Sequence, residues 1–200
     1  QGVARGGYAH IRGVSEPGAR LVVNGRSIPV DALGKFDYYM PVVADAVTMP
    51  FAFQASDDIG NTTGVYNVDT VPGPGDAAFG ATDLAALSAD RGSLSETFRP
   101  DVTDGYTVTV DESVAEVRVT AIPAFEDAQV VINGHSPDSD GSVPIPLSGA
   151  STAVNVVVNK DDETTTYALT IIRTASTIAE LADLKLSAGR ELAFDSLGYD

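Results

Sequence analysis

The sequence predicts an all-β chain of two tandem β-sandwiches followed by the start of a third unit. Three observations support this prediction. Short segments in which apolar and polar residues alternate recur along the chain, and that period is typical of half-buried strands. Turn-forming Gly, Pro, Asn and Asp separate these segments. The stretch Thr70-Val-Pro-Gly-Pro-Gly75, with alternating Pro and Gly, divides the first set of strands from the second. We therefore predict domains at 1–70 and 83–174, a linker at 71–82 and a partial unit at 175–200.

The composition limits the functions that the chain can have. Its 28 Asp and Glu residues outnumber 12 Lys and Arg, which gives a formal net charge of −16. This polyanion argues against binding to nucleic acid or to an anionic membrane surface. The chain has no Cys, so stability must come from packing, and thiol catalysis and Cys-based metal sites are excluded. No apolar run approaches the roughly 20 residues that span a bilayer.

The first unit reads as short strands joined by turns. Asn24-Gly25 is the strongest two-residue hairpin signal, and residues 47–55 alternate over nine positions like a half-buried strand. The order of turn and core residues resembles bacterial immunoglobulin-like modules over residues of about 8–70. The residues that carry the resemblance are Gly13, Glu16-Pro-Gly18, Leu21-x-Val23-Asn-Gly25, Gly34-Lys-Phe36 and Ala55-x-Asp57-x-x-Gly60-Asn61. The resemblance implies a small sandwich without an active site.

The second unit contains five clear alternating segments. They lie at 106–110, 117–121, 130–132, 154–158 and 167–171. Leu84-Ala-Ala-Leu87 reads as an edge strand or a single turn, and the stretch that ends near Pro146-Leu147 reads as a loop. Five strands with turns between them favour a β-sandwich.

The order of motifs in this unit resembles the cadherin-like β-sandwich repeat of bacterial and other surface proteins. The matching pieces are Leu84-x-x-Leu87, Gly92-x-Leu94, Phe98, Tyr106-x-Val-x-Val110, the Val130-Val-Ile-Asn-Gly134 hairpin, Val154-x-Val156 and Tyr167-x-Leu-x-Ile-x-Arg173. The resemblance covers residues of about 83–173 and implies a sandwich shape. The acidic linker motifs that bridge calcium in true cadherins are not found.

Two internal similarities indicate repetition. Leu181-Ala-Asp-Leu184, with the later Gly189, Leu192, Phe194 and Tyr199, repeats the start of the second unit. Residues 175–200 are therefore predicted to open a further repeat or to act as an exchange or assembly segment. In addition, 19–25 matches 128–134, since both run into an Asn-Gly turn. Shared ancestry and convergence on one favourable hairpin are both open.

The polar loops offer weak candidates for catalysis. Gly134-His135-Ser136 lies close in sequence to Asp138 and Asp140. These residue types are the members of a Ser/His/Asp catalytic triad. Residues this close in one loop rarely reach triad geometry, and His10 is isolated in a predicted strand. The carboxylate pairs lie in predicted turns, where water solvates them: Asp57-Asp58, Asp111-Glu112, Glu126-Asp127 and Asp161-Asp-Glu163. No catalytic residue and no enzymatic activity are predicted.

Calcium is the alternative to a prediction of no cofactor. Calcium takes oxygen ligands from loops. The first candidate cluster is Asp57, Asp58 and Asn61, and the second is Asp138, Asp140 and Ser142. Neither follows the EF-hand pattern, so no metal ligand is assigned.

Exposed aromatic residues are the candidates for sugar binding. Tyr38 and Tyr39 are adjacent in a predicted strand, so one of them should face solvent. Tyr8 and Tyr66 are expected nearby, but the chain has no Trp. Asn61-Thr62-Thr63 also fits the short glycosylation acceptor pattern.

Three functions remain open at this stage. The first is a non-catalytic structural or adhesive module, a spacer or stalk in a secreted or cell-surface prokaryotic protein. The second is an accessory module, with a glycan ligand, beside an extracellular carbohydrate-active enzyme. The third is a self-assembling filament or surface-layer subunit that associates through 177–200, where apolar side chains could add a strand to a neighbour. Expected partners are neighbouring repeats and a protein or glycan, not nucleic acid or a membrane.

Overall fold

The computed structural model describes residues 8–41, 49–57, 59–64, 66–70 and 80–175. In these ranges every regular element is a β-strand, which confirms the predicted all-β fold. The thirteen described strands are β1 (Tyr8–Val14), β2 (Arg20–Val23), β3 (Arg26–Ile28), β4 (Lys35–Pro41), β5 (Met49–Ser56), β6 (Tyr66–Thr70), β7 (Leu84–Ala89), β8 (Tyr106–Asp111), β9 (Glu116–Pro123), β10 (Gln129–Ile132), β11 (Ser142–Pro146), β12 (Ser151–Lys160) and β13 (Glu163–Thr174). Within the described ranges no helix could cross a membrane.

The first sandwich, strands β1–β6, has a four-stranded sheet in the order β3-β2-β5-β6 and a two-stranded sheet of β1 and β4. All its pairs are antiparallel. The predicted hairpin is confirmed, since Asn24 and Gly25 turn β2 into β3 at φ angles of 49° and 82°. Leu21, Val23 and Phe51 are buried between the sheets. Most of the predicted linker, residues 71–79, lies outside the described residues.

The second sandwich, strands β7–β13, has sheets in the orders β10-β12-β13-β8 and β11-β9-β7. The five predicted strands are confirmed, and Leu84–Ala89 forms an edge strand rather than a turn. The prediction of a loop before Leu147 was wrong, because Ser142–Pro146 forms β11 and pairs with β9. Its two prolines hid the strand from the sequence pattern. An edge strand accepts them because a nitrogen on its outer side needs no partner.

Two tyrosines and a glycine fix the long loop between β7 and β8. The Tyr106 hydroxyl bonds both the N–H and the carbonyl of Arg99, at 3.0 and 3.1 Å. The Tyr167 hydroxyl donates to the Pro100 carbonyl at 2.8 Å and accepts from the Leu84 N–H at 3.1 Å. Burial raises the pKa of Tyr167 well above its ordinary value, so this hydroxyl stays protonated at alkaline pH. Gly92, with φ of 74°, has no room for a Cβ, which would lie 2.6 Å from a backbone oxygen.

The repeated hairpin has the same geometry in both sandwiches. Asn133 and Gly134 adopt φ angles of 47° and 82°, close to those of Asn24 and Gly25. The Asn24 N–H donates to the Ala52 carbonyl, and its Oδ1 accepts from the Ala52 N–H. Asn133 makes the same two bonds with Asn155. The hairpin therefore joins an equivalent neighbouring strand in each sandwich, β5 in the first and β12 in the second.

A second loop extends this correspondence. Gly34 and Gly141 each close a four-residue turn by donating to an Asp carbonyl at 2.9 Å, that of Asp31 and that of Asp138. Each Gly carbonyl then accepts from the facing strand, where the donor is Ser15 in one case and Ala121 in the other. Strands β1, β2, β4 and β5 thus correspond to β9, β10, β11 and β12.

Candidate functional site: the junction between the sandwiches

The two sandwiches contact each other through β4 and β7. Tyr38 and Tyr39 lie on opposite faces of β4, and both are buried, at 1% and 4% exposure. Tyr39 donates its hydroxyl to the Phe98 carbonyl at 2.8 Å, and its ring meets the Phe98 ring edge-on at 6.0 Å. The prediction that one of these tyrosines faces solvent was wrong, because the second sandwich covers Tyr39.

The outer face of the β11-β9-β7 sheet also borders the junction, since β4 contacts β7. Ala86 pairs with Ile122, one position away from the pairing of Leu87 with Ala121. Adjacent pairs lie on opposite faces of a sheet, and Ala121 lies in the core. The outer face therefore carries Ala86 and Ile122, yet they are only 0% and 8% exposed. Such burial is expected only where another part of the chain covers the sheet. The loop at Gly141 contacts Ile122, and β4 contacts β7.

Polar contacts flank the aromatic centre of the junction. The Arg26 guanidinium donates to the Pro123 carbonyl at 3.1 Å and to the Ala124 carbonyl at 3.5 Å. Ser93 donates its hydroxyl to Asp31 Oδ2 at 2.6 Å. These bonds satisfy groups that the interface partly removes from water. They also fix how the two surfaces meet, since carbonyl and carboxylate acceptors are directional.

His10 supports the junction from the first sandwich. Its ring stacks on Tyr39 with centroids 4.2 Å apart and planes 3° from parallel. Its Nε2 lies 2.6 Å from Asp37 Oδ1. The histidine in the predicted N-terminal strand thus orients the tyrosine that crosses the interface.

Three shallow clefts border the junction. The largest, about 480 Å³, lies between β4 and the turn that follows β9, and its lining includes Arg26, Met40 and Phe125. The others measure about 310 and 240 Å³. No group of three His, Cys, Asp or Glu that could hold a metal occurs among the described residues.

An arginine occupies the second candidate calcium cluster. Arg118 forms an ion pair with Asp138 and donates to the Ser142 hydroxyl at 2.8 and 3.1 Å. Ser142 in turn donates to Asp140 at 2.7 Å. Partial burial opposes ionisation of Asp140, but hydrogen bonds from Ser142 and the nearby guanidinium outweigh it and lower the pKa of this carboxyl. The cation in this loop is therefore already supplied by the chain.

In the first candidate calcium cluster, the carboxylate of Asp57 is used within its own loop. Its Oδ1 accepts from the Asn61 backbone at 2.7 Å, and its Oδ2 accepts from the Asn61 amide at 2.6 Å. The side-chain hydrogen bond from Asn61 lowers the pKa of Asp57. The same bond holds the amide of the predicted glycosylation acceptor. Asp58, the third member of the predicted cluster, lies outside the described residues.

We expect millimolar calcium to leave the melting temperature of the chain unchanged. To bind at 138–142, calcium would have to displace Arg118 from Asp138 and Ser142, and at 57–61 it would have to break the bonds of Asp57 to Asn61. The measurement is thermal unfolding with calcium and with EDTA, because a ligand that binds only the folded state raises the melting temperature. A rise that saturates in the millimolar range would contradict this expectation, and magnesium serves as the ionic-strength control.

The Ser/His/Asp set is not assembled in the described structure. His135 closes the hairpin by a backbone bond to Ile132 at 2.9 Å, and its side chain is exposed. No hydrogen bond joins its imidazole to Ser136, Asp138 or Asp140 in the described part of the chain, where the Asp138 carboxylate instead meets Arg118. Sequence reasoning missed the roles of Arg26, Arg118 and Tyr39. All three act over long separations, for which a single sequence carries no signal.

Comparison with known protein families identifies the second sandwich. The family model of the cadherin-like beta sandwich domain matches residues 84–174. These residues form a cadherin-like β-sandwich domain. The match begins at β7 and ends with β13, so it contains all seven strands of the second sandwich. No curated protein matches the chain.

Solved structures align with most of the chain at low similarity. Titin domains z1z2 in complex with telethonin share 11% identity over 86% of this chain and 91% of that chain, with a TM-score of 0.25. The BSP domain of a biofilm associated protein shares 16% identity, with a TM-score of 0.29; the alignment covers 84% of this chain and 28% of that one. Fibronectin(III)-like modules of CbhA from Clostridium thermocellum share 11% identity over 85% and 87% of the two chains, with a TM-score of 0.23. Similarity this low carries no argument about function.

Proposed function

We propose that the chain is a non-catalytic structural segment of a secreted or surface-anchored prokaryotic protein. In this role the junction holds the first sandwich and the cadherin-like domain at a fixed spacing. The bond from the Tyr39 hydroxyl to the Phe98 carbonyl carries the proposal, since it is buried and joins the two units directly. Two units on a flexible linker would leave these groups in water. The net charge of −16 further supports a spacer, because it opposes nonspecific association.

The burial of the β4 tyrosines argues against the carbohydrate-binding alternative, which requires sugar stacking on an exposed Tyr38 or Tyr39. A stacking platform needs an exposed ring face, and Tyr38 and Tyr39 are both buried. The side chains of Tyr8 and Tyr66 lie outside the description.

A glycan array combined with calorimetry tests this proposal. We expect no saturable glycan binding and a single unfolding transition, because the buried junction couples the two sandwiches. The matched control is the Tyr39→Ala variant, which removes the aromatic contact and the hydrogen bond at the centre of the junction. Saturable binding of a glycan by the unaltered chain would replace the spacer with a carbohydrate-binding module. Two separate transitions in the unaltered chain would instead contradict the coupled spacer.

A further inference from the structure

The described part of the first sandwich has no counterpart of β7 or β8. By the correspondence of hairpin and loop, β1 is equivalent to β9. In the cadherin-like domain, β9 lies between β11 and β7. Within the described ranges, β1 has β4 as its one paired strand, and no element takes the place of β7. Among the described residues, the outer edge of β1 is therefore unpaired and can accept a strand.

Three core positions of the first sandwich are also less buried than their counterparts in the cadherin-like domain. Phe53 and Ala55 in β5 correspond to Val156 and Val158 in β12, because Ala52 and Asn155 make equivalent bonds with the two hairpins. The two valines are fully buried at 0% exposure, whereas Phe53 and Ala55 are only half-buried. Ile11 in β1 is likewise half-buried, although its counterpart in β9 is fully buried.

The sequence of this chain carries a segment of the missing type. Leu181, Leu184 and Leu186 repeat the spacing of Leu84, Leu87 and Ala89. In β7 these three positions are buried at 3% exposure or less. Leu87 and Ala89 pair with Ala121 and Val119 of β9, on the core side of the sheet.

We propose that residues 181–186 of a second copy of the chain add to the outer edge of β1 and take the place that β7 has beside β9. The segment would run antiparallel to β1, as β7 runs antiparallel to β9. Its leucines would cover the half-buried core, and its backbone would pair with the open edge. Because the acceptor lies in the first sandwich and the donor follows the cadherin-like domain, the contact is head-to-tail and can propagate.

The position of the acceptor favours a second copy over the same molecule. The segment 181–186 follows β13, and β13 lies in the sheet opposite to that of β7, the strand that contacts β4. The path from β13 to β1 crosses two layers of about 10 Å and one strand spacing of about 5 Å. Six residues, from Ala175 to Leu181, reach at most about 20 Å.

The backbone of Arg12 offers a test of the acceptor edge. Arg12 corresponds to Arg118, whose carbonyl accepts from Asp90 N–H on the side of β7. The N–H of Arg12 should thus point away from β4, and Arg12→Pro should remove an outward donor without loss of a bond to β4. Arg12→Ala is the matched control, since it removes the same side chain and keeps the N–H.

The segment that adds to β1, residues 181–186, is tested in the same way. Leu184→Asp places a charge where an apolar side chain should enter the core, while neither described sandwich is altered. Ser187→Asp is the control, because it adds the same charge just beyond the segment equivalent to β7.

Sedimentation velocity of the full chain at rising concentration is the measurement. We expect concentration-dependent association that Arg12→Pro and Leu184→Asp weaken at least about tenfold, while both controls associate like the unaltered chain. Hydrogen exchange should show the Arg12 amide protected in the assembled form. If Arg12→Pro unfolds the first sandwich, Leu184→Asp and its control Ser187→Asp still test the proposal, because both lie in or beside the added segment.

Two outcomes would overturn the inference. One is a monomer at every concentration up to about 1 mM. The other is a monomer with a protected Arg12 amide, which would assign the added strand to the same molecule. Either result leaves the proposed spacer function intact, because the junction does not involve the outer edge of β1.

Discussion

Tyr39→Ala is expected to split the unfolding of the chain into two transitions. The substitution removes a ring that is 4% exposed, the hydrogen bond to the Phe98 carbonyl and the surface on which His10 stacks. Loss of a buried aromatic side chain costs about 3–5 kcal/mol. The lost free energy is that of the contact between the two sandwiches, so their unfolding is no longer coupled. The first sandwich should then unfold at a lower temperature than the cadherin-like domain. Differential scanning calorimetry measures both transitions.

Tyr39→Phe is the control that separates packing from hydrogen bonding. It keeps the ring contacts with Phe98 and His10 and removes only the hydroxyl. Loss of one buried hydrogen bond costs about 1 kcal/mol, so we expect a single transition at a modestly lower temperature. If Tyr39→Ala also unfolded in one transition, with a change no larger than that of Tyr39→Phe, the interface would not couple the sandwiches.

Tyr167→Phe is expected to destabilise the cadherin-like domain more than its small change in size suggests. The ring is fully buried and would remain, but the Leu84 N–H and the Pro100 carbonyl would both lose their partner. Two buried backbone groups without partners cost about 3 kcal/mol together. For a domain of this size, that cost corresponds to a decrease in melting temperature of roughly 15 °C.

Tyr106→Phe is the matched control for this substitution. Its hydroxyl also bonds two backbone groups, those of Arg99, but Arg99 lies at an exposed position where water can replace the lost partner. We expect a decrease of about 1 kcal/mol. Urea unfolding measures the free energy of unfolding of both variants. Equal losses would show that burial of the Leu84 N–H and the Pro100 carbonyl does not determine the size of the destabilisation.

The features predicted correctly from the sequence are local. Alternation identifies β8, β9, β12 and β13 because each side chain contacts the core or the solvent according to its own position. Asn24-Gly25 and Asn133-Gly134 are predicted as hairpins because positive φ angles favour these residues. The wrong loop prediction at β11 has the same origin, since Pro144 and Pro146 are unfavourable in strands in general but acceptable at an edge.

The junction could not be predicted, because its contacts depend on which surfaces meet. Periodicity places Tyr38 and Tyr39 on opposite faces of β4, but it does not show that a second domain covers the outer face. Arg118 likewise enters the acidic loop from the neighbouring strand β9, so the loop sequence alone reads as a cation site. Arg26 follows the Asn24-Gly25 turn, where a side chain is ordinarily exposed, so its contact with the second sandwich could not be predicted.

The distance between the two sandwiches tests the fixed junction most directly. The chain has no Cys, so spin labels can be attached at Arg20→Cys in β2 and Thr166→Cys in β13, both exposed positions. Double electron–electron resonance should give one narrow distance distribution, which Tyr39→Ala broadens. A distribution in the unaltered chain as broad as that of two domains on a flexible linker would contradict a junction that holds them at a fixed spacing.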